Sequence, residues 1–434
     1  MSYNKLTGAI PPSIQKLMKM ETLHLDNNLL NGEIPLWLFD MKGLKHLFIG
    51  SNNLTWNNKA KMVPTCMVYE LNMRSCGLAV EIPNWISTQK TLGTLDLSEN
   101  QLEGKFPQWL IEMDVADIFL LGNNLTGSLP SCLFNSKNLS FLFLSRNNFY
   151  GELPNNIGNA SGIIIFMLDG NKFSGKVPES ISNMYSLSLL DLSDNKFSSD
   201  TLPDFSSFNF LEITDLSSNE FSGEISTSFS QETKILSLGK NKFSGNLSRN
   251  LTNMNKLEYL GINENNITGE LPYFICQIST LQILNLQKKS LQGSIPDCIS
   301  NLTRLHILDL SSNHLVGKIP AKLGNLVGMI ETPNIFSYSY TINGFNTEIH
   351  DLIVNWKRVE QGLSWKNLEI YALLDLSMNQ ISNEIPTSLG SLKALKLLNV
   401  SHNKLYGRLP ASLGDLKNLE GLDLSHNNLL GSIP

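Results

Sequence analysis

The sequence predicts an α/β repeat solenoid carried on a parallel β-sheet, and three observations predict it. Asparagine recurs on a ladder: Asn4, Asn28, Asn52, Asn100, Asn123, Asn147, Asn171, Asn195, Asn219, Asn241, Asn265, Asn313, Asn379, Asn403 and Asn427, with most steps 24 residues. Cys76 and Lys289 occupy two further rungs. Leucines alternate with polar residues just before each rung, and Gly-x-Ile/Leu/Val-Pro follows it. A fixed period of this length means one unit copied many times, each copy burying its apolar face only by stacking on the next.

Leu92–Pro107 illustrates one unit. Leu95 and Leu97 alternate with Asp96, the period-two signature of a short strand with one face buried. Stacked strands make a parallel sheet, which becomes the concave face, and parallel pairing requires a crossover on the opposite side. At the ladder Asn the chain turns inward and leaves backbone amides and carbonyls unpaired, and a side-chain amide can both donate to and accept from them. Cys76, a weak donor, replaces it only in part. Lys289 is expected to lay its stem along the core edge and its ammonium in water, because an unpaired buried charge is costly. After each rung, Gly permits a tight bend and Pro ends the second extended segment. Ser226 and Ser248 stand where two repeats would have Pro, which should loosen that edge.

Composition narrows the function. The 434 residues are 41% hydrophobic and 17% charged with a net charge of -6, and no basic block suits a phosphate backbone, so nucleic acid is not an expected partner. No apolar run reaches the roughly 18 residues needed to span a bilayer. The chain opens at a ladder rung without a signal peptide and stops in mid-repeat, and neither end has a polar capping repeat, so it reads as a part of something longer. Sequons at Asn53, Asn124, Asn138, Asn159, Asn246, Asn250, Asn266, Asn301 and Asn399 favour a glycosylated, secretory-pathway protein. Five cysteines fit that compartment, and the odd number leaves at least one unpaired.

The unit LxxLxxLxLxxNxLxGxIP resembles the plant-type extracellular leucine-rich repeat. The step from Asn313 to Asn379 is 66 residues, so an island of about 42 residues is inserted there, roughly Val327 to Tyr371. It contains Phe336-Ser-Tyr-Ser-Tyr340, Asn343-Gly344 and Leu352-Ile-Val-Asn-Trp-Lys357 before the return to Asp375-Leu376-Ser377. The chain thus divides into repeats at 1–326, an island at 327–371 and closing repeats at 372–434. A long island followed by a few closing repeats resembles the ectodomain of plant leucine-rich-repeat receptor-like proteins, which are kinase-lacking cell-surface receptors.

That resemblance implies a superhelix with a concave parallel sheet, a place at the plasma membrane facing outward, and signalling through an adaptor receptor kinase. It also implies a co-receptor kinase docking on the island and last repeats, within Val327–Pro434, with Trp356, Lys357 and Tyr371 as candidate contacts. The family often follows the island lysine with glycine, whereas Lys357 precedes Arg358. It often pairs cysteines in the context of Cys276 and Cys298, and a structural bridge between these two is expected. Cys66 and Cys76 flank the irregular stretch Trp56–Pro64 and could pair if it folds back; Cys132 has no evident partner.

Residues between the buried leucines point out of the sheet. Four before the rung, this column reads Phe119, Phe143 and Met167; two positions earlier it reads Phe141, Ile165, Leu189, Ile213, Ile235 and Tyr259. With strands about 4.8 Å apart, these should form one exposed apolar strip, rimmed by Asp96, Asp191, Asp215, Asp309 and Asp375. Phe119, Phe141, Phe143, Ile165, Met167, Ile213 and Tyr259 are the candidate anchors for a peptide or protein ligand. His402 and His426 share a column, but two histidines make an incomplete metal site and no metal or cofactor is expected. Phosphate-loop, kinase, HExxH and GxSxG signatures are absent, so the chain is not read as an enzyme.

The expected function is perception of a pathogen-derived or endogenous peptide or protein, in defence. Two alternatives are a secreted leucine-rich-repeat inhibitor of microbial hydrolases and the ectodomain of a receptor kinase. The inhibitors have about ten repeats and no island, which this chain's seventeen rungs and insert do not match.

Overall fold

The computed structural model describes residues 1–59, 61–225, 228–331, 341–342, 345–346, 352–356, 359–363 and 371–433. They fall into two units, Met1–Phe197 and Ser198–Pro434. The first carries eight parallel three-residue strands, from Thr22–His24 through Thr94–Asp96 to Leu189–Asp191. The second also carries eight, from Ile213–Asp215 through Ile307–Asp309 to Gly421–Asp423. Their register is the one expected for copied units: Phe119 pairs with Phe143 and Phe143 with Met167, while Ile213 pairs with Ile235 and Ile235 with Tyr259.

The ladder asparagines hold successive coils together by one repeated set of bonds. Asn171 Nδ2 donates to Leu168 O (3.0 Å) and Asp169 O (3.2 Å) in its own coil and to Leu144 O (2.9 Å) in the preceding one, while its Oδ1 accepts from Phe149 N (3.0 Å). The same pattern recurs at Asn52, Asn147, Asn265, Asn313 and Asn427. The residue just before the rung makes the inward turn in the left-handed region, from Tyr3 (φ 55°) to His426 (φ 53°), with glycine at Gly122 and Gly170. Most of these residues are not glycine, so the bonds of the asparagine that follows offset a backbone cost of roughly 1–2 kcal/mol per turn.

Behind the rungs the apolar residues stack by the same translation. Phe149, Phe173 and Phe197 lie with ring centroids 6.2 and 6.1 Å apart and planes 11° from parallel. Phe221 and Phe243 repeat that geometry in the second unit at 6.1 Å. The far side is formed mainly by short 3₁₀ turns, most of them entered through a proline such as Pro178 or Pro320; the helical exceptions among the described residues are Gln108–Glu112 and Val327–Ile330. At Ser248 the edge does not loosen. The serine keeps the extended conformation of the missing proline (φ -81°, ψ 139°), and its hydroxyl accepts from Asn250 N (3.2 Å), as a helix cap does. Ser226 lies outside the described residues.

The island does not interrupt the stack. Ile307–Asp309 pairs directly with Leu373–Asp375, and Asn379 reaches across 69 residues of sequence to Leu310 O (2.9 Å) and accepts from Leu315 N (3.0 Å). Within the island, Thr341–Ile342 pairs antiparallel with Phe345–Asn346, and Leu352–Trp356 with Val359–Leu363. An extra 42 residues can be looped out because loop closure costs grow only as the logarithm of length.

The two odd rungs behave differently from their neighbours. Lys289 does not send its ammonium to water: the residue is buried, its Nζ donates to Ile262 O, and burial pushes its pKa well below the usual lysine value. It reproduces the bond to the preceding coil but has no acceptor to offer the backbone. Cys76 is likewise buried, with Sγ 3.9 Å from Ile49 O and 3.5 Å from Arg74 O. It is not bridged to Cys66. Both are free, buried thiols, pushed up to about 12 and about 11 by desolvation, and Cys132 is free and half-buried. Cys276 and Cys298 form the disulfide, with Cα atoms 5.8 Å apart on consecutive coils.

Restoring the rung by Lys289→Asn is expected to raise the melting temperature, since it removes a buried amine and adds an acceptor. Asn379→Ala is expected to cost about 2–4 kcal/mol, the sum of its lost bonds at about 1 kcal/mol each; chemical denaturation of both variants beside the parent measures this. A thiol reagent is expected to label Cys132 first in the folded chain, with Cys66 and Cys76 following only on unfolding.

Candidate recognition face

Each unit presents one face of its sheet through the residues between the buried leucines. In the first unit, Phe119 and Phe143 pack with ring centroids 4.8 Å apart and Phe119 and Phe141 at 6.4 Å. Phe119 (8% exposed) and Phe143 (6%) are largely hidden by this packing, and Phe141 and Met167 remain partly exposed beside them. Ile165 is fully buried. In the second unit Ile213 and Tyr259 are each 1% exposed, within a column in which Ile235, Ile283 and Ile307 are equally buried.

The expected exposed strip is therefore corrected. The columns exist in the expected register, but Ile165, Ile213 and Tyr259 do not offer surface, and Phe119 and Phe143 offer little. One reason is lateral: at a strand spacing of about 4.8 Å, large residues repeated in one column cover each other's flanks. Phe141 and Met167 are the accessible members.

The aspartates that rim this face serve the scaffold. Ser193 and Ser217 donate through Oγ to Asp191 and Asp215 at 2.6 Å, and Ser311 and Ser377 do the same for Asp309 and Asp375. Register places Asp309 beside Asp375, and Asn399 next to it donates to Asp375 Oδ2 at 2.9 Å. Burial, then the neighbouring Asp375 charge, raises the Asp309 carboxyl to about 7, against the pull of Ser311 and Lys288; Asp375 is raised too, by burial and by Asp423. Asn399 is itself buried, and its Nδ2, the atom a glycan would join, donates to Asp375, so its sequon is corrected: a glycan there would displace that contact. Asn53, Asn124, Asn138, Asn159, Asn246, Asn266 and Asn301 are exposed and Asn250 is half-exposed.

Of the island candidates, Trp356 lies on the strand Leu352–Trp356, and Lys357 lies outside the described residues. Tyr371 sits at the return to the repeats. Its carbonyl accepts from His306 Nδ1 (2.9 Å), and Lys396 Nζ lies 5.0 Å from its ring centre. His402 and His426 stack at 3.9 Å on the exposed turn column, and among the described residues no third ligand joins them in a metal-binding group.

A further surface escaped the sequence reading. His24 stacks on Phe48 at 4.3 Å, and His46 meets Tyr69 at 6.0 Å while bonding Glu70 at 2.9 Å, which makes an aromatic and imidazole patch on the first unit's face. The columns alone read there as mixed polar residues. Another is the pairing of Glu99 with both Arg74 (3.6 Å) and Arg146, 47 residues on. Gly122 lies at the intervening turn, where a Cβ would lie 2.8 Å from Glu99 Oε2.

The leucine-rich-repeat profile matches residues 19–41, 91–113, 138–160, 186–208, 256–278, 304–326, 373–392, 394–416 and 418–434. Receptor-like protein 46 of Arabidopsis thaliana is 47% identical over 69 residues, 15% of this chain and 8% of that protein. Among solved structures, the Arabidopsis receptor kinase HAESA in complex with the peptide hormone IDA and the co-receptor SERK1 matches all of this chain and 66% of its own at 31% identity and a TM-score of 0.78. The ectodomain of the Arabidopsis thaliana receptor kinase GASSHO1/SCHENGEN3, in complex with CASPARIAN STRIP INTEGRITY FACTOR 2, matches all of this chain and 50% of its own at 28% and 0.73. The curated relatives are thus covered over only a small part of their length. Among the described residues no helix is long and apolar enough to cross a membrane.

An acid whose folded pKa is raised contributes stability that is full below the unfolded value near 3.8 and is lost as pH rises through about 7. Asp309→Asn is therefore expected to raise the melting temperature at pH 8 by a few degrees, about what 1–2 kcal/mol produces, and to change it little at pH 4. Thermal melts of parent and variant at both pH values check the sign. Ladder, register, island and likeness converge: the chain is built of leucine-rich repeats and is similar to plant receptor-like proteins and to the ectodomains of plant receptor kinases.

Proposed function

We propose that this chain is the ligand-recognition part of a plant cell-surface receptor-like protein, facing the outside of the plasma membrane. It binds a peptide or protein on the sheet face of its first unit and signals through partner kinases, an adaptor and a co-receptor. The observation that carries this reading is the half-exposed pair Phe141 and Met167 beside buried Phe119 and Phe143, on a repeat scaffold similar to ectodomains solved with peptide ligands. An anchor beside packed aromatic rings is the arrangement in which a few residues carry most of the binding energy. A role in defence and a ligand of pathogen origin belong to the same proposal and are supported by the family resemblance alone. The closing repeats and the island, with Trp356, Lys357 and Tyr371, are the proposed co-receptor side.

The test is affinity capture of secreted plant peptides on the chain, followed by the variants Phe141→Glu and Met167→Glu. Each is expected to lower affinity for the captured peptide by about ten- to a hundred-fold, as loss of an anchor worth about 1.4–2.8 kcal/mol does. Unchanged affinity in both, with melting temperatures equal to the parent's, would remove the first unit's face from the binding site.

A further inference from the structure

One repeat departs from the rule followed around it. After Asn52 the chain has Trp56 where the bend glycine belongs, and no Gly-x-Ile-Pro follows before Cys66. The second short sheet is broken there: Thr7–Gly8, Leu29–Glu33 and Asn53–Thr55 form one group, and Ala79–Val80 starts another with Gln101–Leu102. A groove of about 610 Å³ lies at the break, with Trp56, Trp85, Val63, Val80 and Ile82 among its lining residues.

Three features of this groove await an occupant. The first is the strand edge. On the side of Ala79–Val80 away from Gln101–Leu102, the side chain of Asn58 stands in for part of the missing strand: its Oδ1 accepts from Ala79 N (2.8 Å) and its Nδ2 donates to Gly77 O (3.3 Å). It reaches no further, and neither Ala79 O nor Glu81 N has a hydrogen-bond partner among the described residues. One coil earlier, the corresponding acceptor, Thr55 O, is filled by Ile34 N at 2.9 Å.

The second is Trp85, 8% exposed, whose buried Nε1–H has no acceptor. Its ring packs against Phe39 (4.8 Å) and Trp56 (6.0 Å), which makes the wall aromatic and holds the indole in place. The third is charge: Lys61 and Glu81 are exposed groove residues of opposite sign, with no ion-pair partner among the described residues.

The geometry points to a peptide-binding site in this groove, separate from the sheet face, for an extended segment of a partner protein with an apolar side chain between an acidic and a basic one. The segment supplies the strand that this repeat lacks. One of its N–H groups donates to Ala79 O, a carbonyl accepts from Glu81 N, and the apolar side chain covers the tryptophans. Edge pairing of this kind takes its affinity from main-chain bonds and its selectivity from side-chain pockets. The flanking acid and base answer Lys61 and Glu81.

The probe is the capped pentapeptide Ac-Lys-Val-Phe-Val-Glu-NH2, titrated into the full chain by calorimetry, beside the same peptide N-methylated at its backbone amides and beside Ac-Phe-NH2. Saturable one-to-one binding is expected, weakened at least ten-fold by N-methylation and several-fold by Trp85→Phe, which trims the indole wall of the groove to a smaller phenyl ring. The variants Phe141→Glu and Met167→Glu should leave it unchanged, so this site and the sheet face fail or stand independently. Absence of saturation up to millimolar peptide overturns the proposal. So does equal binding of the N-methylated peptide or of Ac-Phe-NH2, either of which would make the groove an aromatic pocket without strand pairing. Binding lost only in the Phe141 and Met167 variants also overturns it, because the peptide would then lie on the sheet face.

Discussion

The asparagine at each inward turn is the interaction on which the rest depends. A parallel strand of three residues is too short to hold its place alone, and the turn after it leaves carbonyls and an amide pointing into the coil. One side-chain amide answers four of these groups, two carbonyls in its own coil and a carbonyl and an amide in the one before. Because each asparagine spans two coils, the bonds that finish one turn also set the register of the next. The stacked phenylalanines and leucines inherit that register, which is why ring follows ring at about the same 6 Å.

The exceptions show what the rung requires. Lys289 can donate to the preceding coil and Cys76 can do so weakly, so the donor to that coil is the part of the role both retain. The acceptor is lost at Lys289, and the stack continues because neighbouring rungs hold it. The same tolerance allows the island: with Asn379 bonded to Leu310 and Leu315, the scaffold closes as though the intervening residues were not there. A repeat scaffold can therefore carry an insertion, or lose a strand at Trp56, while its neighbours keep their spacing. Both departures interrupt the periodicity of the surface.

Function in such a molecule follows from departures of this kind. The Asp-Leu-Ser idiom recurs with the coils and is satisfied within them, so it carries no chemistry of its own, although burying Asp309 beside Asp375 makes part of the second unit's face sensitive to pH. Phe141 and Met167 stand out because the two columns they belong to are aromatic or sulfur-bearing over only a few coils. Gly122 stands out because a Cβ there would crowd the Glu99 carboxylate that pairs with Arg146.

The period of the asparagines and leucines was enough to determine the coil, its parallel strand, its inward turn and the place of the island, because each is local chemistry repeated at fixed spacing. The columns of the sheet face were equally legible, since register follows from the period. Exposure was not. Whether Ile165, Ile213 or Tyr259 reaches solvent depends on side chains brought alongside by stacking, and the tertiary structure buries all three. It also decided that the Lys289 ammonium stays inside, that Cys66 and Cys76 remain apart, that Asn399 is bonded rather than free, and that a missing Gly-x-Ile-Pro leaves a groove beside Trp85. Most of these turn on contacts between residues some twenty or more positions apart, whose side-chain packing a repeat period places but does not specify.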